Sequence, residues 1–419
     1  MSVCETTLPN GLRIATDGMA GVETTSVGIW VDAGARNEAL ELNGISHMLE
    51  HMAFKGTGRR TARGIAEEIE AVGGHLNAYT SREQTAYLAR VVADDLPLAV
   101  DILADILQHS TFEDQELERE RAVIIQEIGQ TQDTPDDLIF DRLQEVAFPD
   151  QPLGRSILGT AERVGGFGRR MLQGYMDVHY RAAGMVVAAS GKVDHDAFVD
   201  LVERGFGGLS EGSGTSCEAG RFSGGDWHER RDLEQVHLTL GFQGLPFDDD
   251  DFHAAQILST ILGGGMSSRL FQEVREVRGL AYSVFSFSSG YLDCGLFGIY
   301  AGTGPDEVRE LVPVVCDQLN EIIQGVNEEE LSRARTQHKA GMKMALESSM
   351  SRCEQLGRQI LIYGRPIPIP EIVEKIDAVD TAAVTRVANR IVSGAAPAVA
   401  AIGPIGHLES YPAIAGRFG

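Results

Sequence analysis

The chain of 419 residues is poor in cysteine. It has five, at Cys4, Cys217, Cys294, Cys316 and Cys353, and no pair has metal-finger spacing. An odd, scattered set argues against a disulfide framework and fits a reducing compartment. Long apolar runs are missing too. Nowhere do about 18 apolar residues follow one another, so no membrane-spanning helix is expected. The opening residues, MSVCETTLPNGLRIATDG, lack the basic start and apolar stretch of a signal peptide, and the cytoplasm is the expected location. Positive charge is also scarce: 36 Lys and Arg stand against 61 Asp and Glu, a net charge of −25. Such a surface repels nucleic acid and attracts basic ligands, and it equally serves solubility.

What is present reads as globular, with 43% hydrophobic and 23% charged residues and enough length for two domains. Residues 208–226 are rich in Gly and Ser. They place a linker at 210–227, between an N-terminal α+β domain over 1–209 and a C-terminal α+β domain over 228–419. In the first half, alternation and turn residues predict strands at Leu12–Thr16, Thr24–Val31, His75–Thr80, Thr85–Val92 and Gly184–Ser190. Helices are expected at Thr61–Val72, from Asp94 to Gln108, at Glu113–Gln130, at Asp136–Val146 and at Asp194–Gly205. The second half restarts with a strand at Val236–Phe242 and a helix at Asp251–Leu262. The order helix, glycine stop, two strands, helix over Thr61–Gln108 returns between about Ser267 and Leu319. The expected fold is therefore α+β, with two related sandwich halves. Each is a mostly antiparallel sheet with helices, and together they form a clam-like chamber.

One stretch of the first half carries chemistry: Gly44-Ile45-Ser46-His47-Met48-Leu49-Glu50-His51-Met52. On a helix, His47, Glu50 and His51 share one face, while Ile45, Met48, Leu49 and Met52 turn toward a core. Two imidazoles one turn apart can grip a metal ion, and the carboxylate between them can serve a water molecule. An amphipathic helix can also carry these residues on a wet face with no metal. A third ligand is needed, with a fourth position left open. The run Glu116–Ile128 offers Glu120 and Glu127, two turns apart and sharing a face with Val123 and Ile124. Carboxylates in an apolar stripe need partners. A metal and a histidine would provide them, as would Arg119 or Arg121.

HMLEH followed by Glu127 resembles the pitrilysin-type zinc metallopeptidases, or inverzincins. It is most similar to the mitochondrial processing peptidase β-subunits and their bacterial relatives. The likeness extends over nearly the whole chain, through LPNGLRIAT, VDAGARNE, GISHMLEHMAFKGT, GGHLNAYTSREQTAY, ERAVIIQEI and RLFQEVREVRGLAYSV. It implies one Zn2+ per chain held by His47, His51 and Glu127. Glu50 would be the general base, and Glu120 would support the ligands and matter for activity. It further implies that Asn77 lies on a strand to which an extended peptide adds. Arg275 and Tyr282 would hold the substrate carbonyl, and Asp137 and Asp141 would receive a basic residue near the cleavage point.

The activity so implied is zinc-dependent hydrolysis of extended, basic peptides or presequence-like segments by a homodimer, or by a pair with a related non-catalytic chain. A different class of function is a non-catalytic subunit of a processing peptidase or of a respiratory-complex-like assembly. Such relatives usually lose part of the metal set, which is complete here. No nucleic acid and no membrane is expected as a partner.

Overall fold

Alternation along single strands builds two sheets, each with both faces covered. The structure is a computed structural model and describes residues 3–418. The first sheet contains β1 (Val3–Thr7), β2 (Arg13–Gly18), β3 (Thr24–Val31), β4 (His75–Thr80), β5 (Thr85–Val92) and β6 (Met185–Gly191), in the order β1-β2-β6-β3-β5-β4. All neighbours are antiparallel except β2 and β6. On β3, Val27, Ile29 and Val31 point into the main core. There they meet Met48, Leu49 and Met52 of α1 (Ile45–Ala53) and Ile102, Leu103 and Ile106 of α3 (Leu96–Gln108). Between these two, α2 (Ala62–Ala71) starts where Thr61 accepts the N–H of Gly64, a side-chain cap of the usual kind.

The opposite face of the same strand is also dry. Trp30 packs there with Leu88, Val186 and Ala188 against Cys353, Leu356 and Ile360 of the helix Ser349–Tyr363. Ser26 Oγ and Ser349 Oγ form a buried hydrogen bond at 2.9 Å. The sequence shows one apolar face on β3. The second is covered because a helix from more than 300 residues away reaches it.

The second sheet contains β7 (Gly225–Arg230), β8 (Val236–Gly244), β9 (Ala281–Gly290), β10 (Gly295–Thr303) and β11 (Ala398–Gly403), in the order β7-β11-β8-β10-β9. Only β11 and β7 run parallel. This repeats the order β2-β6-β3-β5-β4, with the parallel pair in the same place. A helix at Pro135–Ala147 covers one face of this sheet through Leu138, Ile139, Leu143 and Ala147.

The chain is thus mixed α/β in two compact units that are discontinuous in sequence. One takes residues up to Gly129, Arg155–Glu218 and Lys343–Ile367. The other takes Gln130–Gly154, Ala219–Met342 and residues from Pro368 onward. Each sheet receives a covering helix from the opposite half of the sequence. Two edge strands, β1 and β7, escape a reading by hydrophobic alternation, because their residues alternate only between half-buried and exposed. The second of them begins inside the Gly- and Ser-rich stretch. No helix among the described residues is long and apolar enough to cross a membrane.

The covering helix of the first sheet is packed without slack. A Cβ added to Gly357 would stand 2.2 Å from Cε3 of Trp30, and Trp30 is fully buried. Gly357→Ala is therefore expected to destabilise this unit by about 1–3 kcal/mol, the usual cost of overpacking. Thermal unfolding followed by tryptophan fluorescence measures it, and an unchanged midpoint would contradict this packing.

Candidate metal centre

Both imidazoles come from α1. Gly44, at φ +101°, turns the chain into this helix, and a Cβ there would lie 2.8 Å from Leu158 O. Ile45, Met48, Leu49 and Met52 bury the opposite face, which limits how far the helix can turn. The third residue comes from α4 (Asp114–Asp133), anchored by Leu117 and Ile124 in the same core.

Three donor atoms converge as a result. His47 Nε2 and His51 Nε2 each lie 3.6 Å from Glu127 Oε2, and the three ligand atoms are all within 4.8 Å of one another. The two rings are 4.7 Å apart at 65°. Tetrahedral coordination at ~2.0–2.2 Å spaces neighbouring donors by roughly 3.4 Å. The set therefore fits zinc with little adjustment, and two imidazole nitrogens with one carboxylate oxygen leave a fourth position open.

A supporting contact assigns the nitrogens of His51. His51 Nδ1 is 3.0 Å from Glu120 Oε2, so Nδ1–H donates and Nε2 keeps its lone pair. Glu120 Oε1 lies 2.6 Å from Lys55 Nζ. Burial alone would raise the Glu120 carboxyl, but its bonds to His51 and Lys55 hold it below the usual carboxylate range. Burial, helped by the neighbouring His51, pulls His47 down to about 4, so it is neutral near pH 7. For His51 burial also pulls downward. The Glu120 bond and the charges of Glu127, Glu120 and Glu50 outweigh it, and the net shift is upward.

Glu50 stands beside the cluster. Thr80 Oγ1 donates to Glu50 Oε2 at 2.6 Å. Burial raises this carboxyl above its ordinary value, against the pull of Thr80 and His51. Thr80 ends β4, the last strand of its sheet. Asn77 on that strand is exposed.

The structure brings His47, Glu50, His51, Glu120 and Glu127 together. Arg275 and Tyr282 lie in the other unit and touch each other. Arg275, in a π-helical turn at Phe271–Val277, stacks 4.6 Å above the Tyr282 ring and donates to Tyr282 O at 3.0 Å. Tyr282 is 77% exposed. Asp137 and Asp141 lie on the helix Pro135–Ala147, Asp137 exposed and Asp141 half-buried.

The expected apolar stripe on α4 needs one correction. Val123 is 44% exposed, and Leu117 and Ile124 are the buried pair. The partners of Glu120 also differ from the arginines considered. Arg119 pairs with Glu116 and Arg121 with Glu118, while Lys55 comes from the turn after α1. Helical spacing hints at Lys55, which lies one turn beyond His51. Nothing local reveals Thr80, because sheet pairing alone carries it to Glu50.

At a pH where the raised His51 is protonated, zinc would have to displace a proton from its Nε2, whereas His47 is neutral near pH 7 and would lose none. Zinc affinity, read by competition with a chromophoric chelator, is expected to fall as pH drops from above the ordinary imidazole value of ~6.5. A flat profile down to ~5 would contradict the raised His51. Lys55→Ala should weaken zinc binding roughly 10- to 100-fold, as loss of a supporting partner does.

Residues 13–161 match the family described as insulinase (peptidase family M16), and residues 167–338 match the peptidase M16 inactive domain. An uncharacterized zinc protease of Rickettsia felis is 41% identical over 398 residues, 95% of this chain and 96% of its own. A probable mitochondrial-processing peptidase subunit beta of Arabidopsis thaliana is 41% identical over 421 residues, 97% of this chain and 79% of its own. The solved structure of a peptidase M16 inactive domain from Pseudomonas fluorescens shares the fold, with a TM-score of 0.91 at 20% identity over 98% of this chain and 100% of that one. The chain belongs to peptidase family M16.

Proposed function

We propose that the chain is a zinc endopeptidase acting on extended, basic peptides or presequence-like segments. The observation that carries the reading is the convergence of His47, His51 and Glu127 donor atoms within 4.8 Å, with a separate carboxylate beside them. The complete ligand set favours this over a non-catalytic subunit, and two relatives named as a zinc protease and a processing-peptidase subunit support it. When bound, zinc would polarise the scissile carbonyl and make water acidic enough to act near neutral pH.

The chain's own residues would do the rest. Glu50 takes the proton of the attacking water on its carboxylate and returns it to the leaving amine. A carboxyl raised by burial suits both steps. Thr80 holds one of its oxygens in place. Glu120 keeps His51 in the tautomer whose Nε2 is free, and Lys55 balances the charge of Glu120. The substrate backbone pairs with β4 near Asn77, a mode that tolerates many side chains. Arg275 and Tyr282 are assigned the substrate carbonyl and the charge that develops on it. Asp137 and Asp141 are assigned a basic side chain, in keeping with the net charge of −25. A chain carrying both the ligands and the Arg275–Tyr282 pair is suited to work as a homodimer. Light scattering alongside activity of the lone chain tests that.

The deciding comparison is peptide hydrolysis by the chain, by the chain with a chelator, and by Glu50→Gln. Chelation should abolish cleavage. Glu50→Gln should retain zinc and lose roughly 10²- to 10⁴-fold in rate. Equal rates in all three samples would sink the reading. In a peptide library, arginine two positions before the cut should be enriched, and Asp137→Ala should remove that enrichment. A Asp137→Ala profile identical to that of the unaltered chain rules this residue out as the basic-residue site.

A further inference from the structure

The helix that carries His47 and Glu50 has no cap of its own. It begins at Gly44, which has no side chain to accept the first-turn N–H groups. The acceptor comes from outside the helix. Glu38 Oε2 accepts the N–H of Gly44 at 2.8 Å and Nδ2 of Asn43 at 3.1 Å, and Oε1 accepts the N–H of Ser46 at 2.8 Å. Glu38 is 2% exposed. Its carboxylate sits at the positive end of the helix dipole, and Arg155 donates to its backbone carbonyl at 3.0 Å. A buried carboxylate is costly unless its oxygens are engaged, and here both are.

The segment that carries Glu38 also grips the other side of the site. Ala35 N–H donates to Ser81 O at 3.1 Å and Arg36 N–H to Arg82 O at 2.7 Å. Arg36 Nη1 reaches Glu83 Oε1 at 2.6 Å. These bonds hold the turn that follows Thr80, the residue whose hydroxyl restrains Glu50. Residues 34–38 therefore tie the start of α1 to the end of β4. Ser46, held by Glu38, immediately precedes His47.

We propose that Glu38 is a positioning residue for the metal centre: by engaging the first turn of α1 with both carboxylate oxygens, it sets the rotation and axial position at which His47 meets Glu127 and Glu50 meets Thr80. This rests on the metallopeptidase reading above. A cap that only stabilised the fold would alter the melting temperature and leave zinc affinity and turnover alone. Glu38→Gln is the sharpest variant, because an amide has the same size yet must turn its NH2 toward one of the N–H donors that both carboxylate oxygens accept.

The experiment uses the full chain with Glu38→Gln, Glu38→Asp and Glu38→Ala, each checked for native circular dichroism. Zinc alone is the probe for affinity, and kcat and KM are read on one basic peptide. For Glu38→Gln, zinc affinity and kcat should each fall roughly 10- to 100-fold while KM stays within about twofold. Glu38→Asp, which restores a carboxylate, should recover part of both losses. A folded Glu38→Gln chain with unaltered zinc affinity and kcat overturns the inference. If none of the three variants folds, Glu38 is a folding residue only, which overturns it as well. Failure of the unaltered chain to bind zinc or cleave peptide would instead strike the metallopeptidase reading, so the two failures are distinct.

Discussion

Three lone pairs aimed at one point cannot be left to themselves. His47 Nε2, His51 Nε2 and Glu127 Oε2 all face the same small volume, and as acceptors they repel one another unless positive charge lies between them. The two helices that present them must therefore be held together by something other than this cluster. The apolar core does so. Ile45, Met48, Leu49 and Met52 on α1 and Leu117 and Ile124 on α4 enter one continuous core. Each such side chain contributes about 1.5–3 kcal/mol when fully buried. A cation bound there would turn repulsion into coordination in a frame that already exists.

Around that frame, burial sorts three carboxylates into different states. Glu120 is 4% exposed and tied to Lys55 and His51, which keeps it ionised and fully engaged. The Glu127 side chain is 41% exposed and leaves an oxygen to an ion. Glu50 is raised by burial, and Thr80 Oγ1 donates to one of its oxygens. Acidic groups of one chemical type thus take separate parts because their surroundings differ.

The sheet that supports this arrangement occurs twice, but among the described residues the cluster of donors occurs once. After β3 the chain enters α1, with His47 and His51. After β8 it enters the helix Phe252–Gly263, whose single histidine is His253. The same strand order and the same parallel pair serve both units. The donors come from a few polar residues on α1 and α4, and the repeated architecture needs none of them.

Much was legible in the sequence, for physical reasons. Hydrophobic alternation and glycine stops locate Thr24–Val31, His75–Thr80 and Thr85–Val92, because local periodicity follows backbone geometry directly. Spacing within one helix puts His47, Glu50 and His51 on one face, because 3.6 residues per turn admits no other arrangement. The recurring order of helix, glycine stop, two strands and helix was legible too, as a pattern that the two sheets share. Only the tertiary structure decided that a helix from each half covers the sheet of the other, and that Lys55 rather than an arginine balances Glu120. It alone carried Thr80 to Glu50 and Glu38 to the start of α1. Those contacts join residues far apart along the chain or across irregular loops. Their partners are chosen by packing and by the need to satisfy buried polar groups, and neither leaves a period in the sequence.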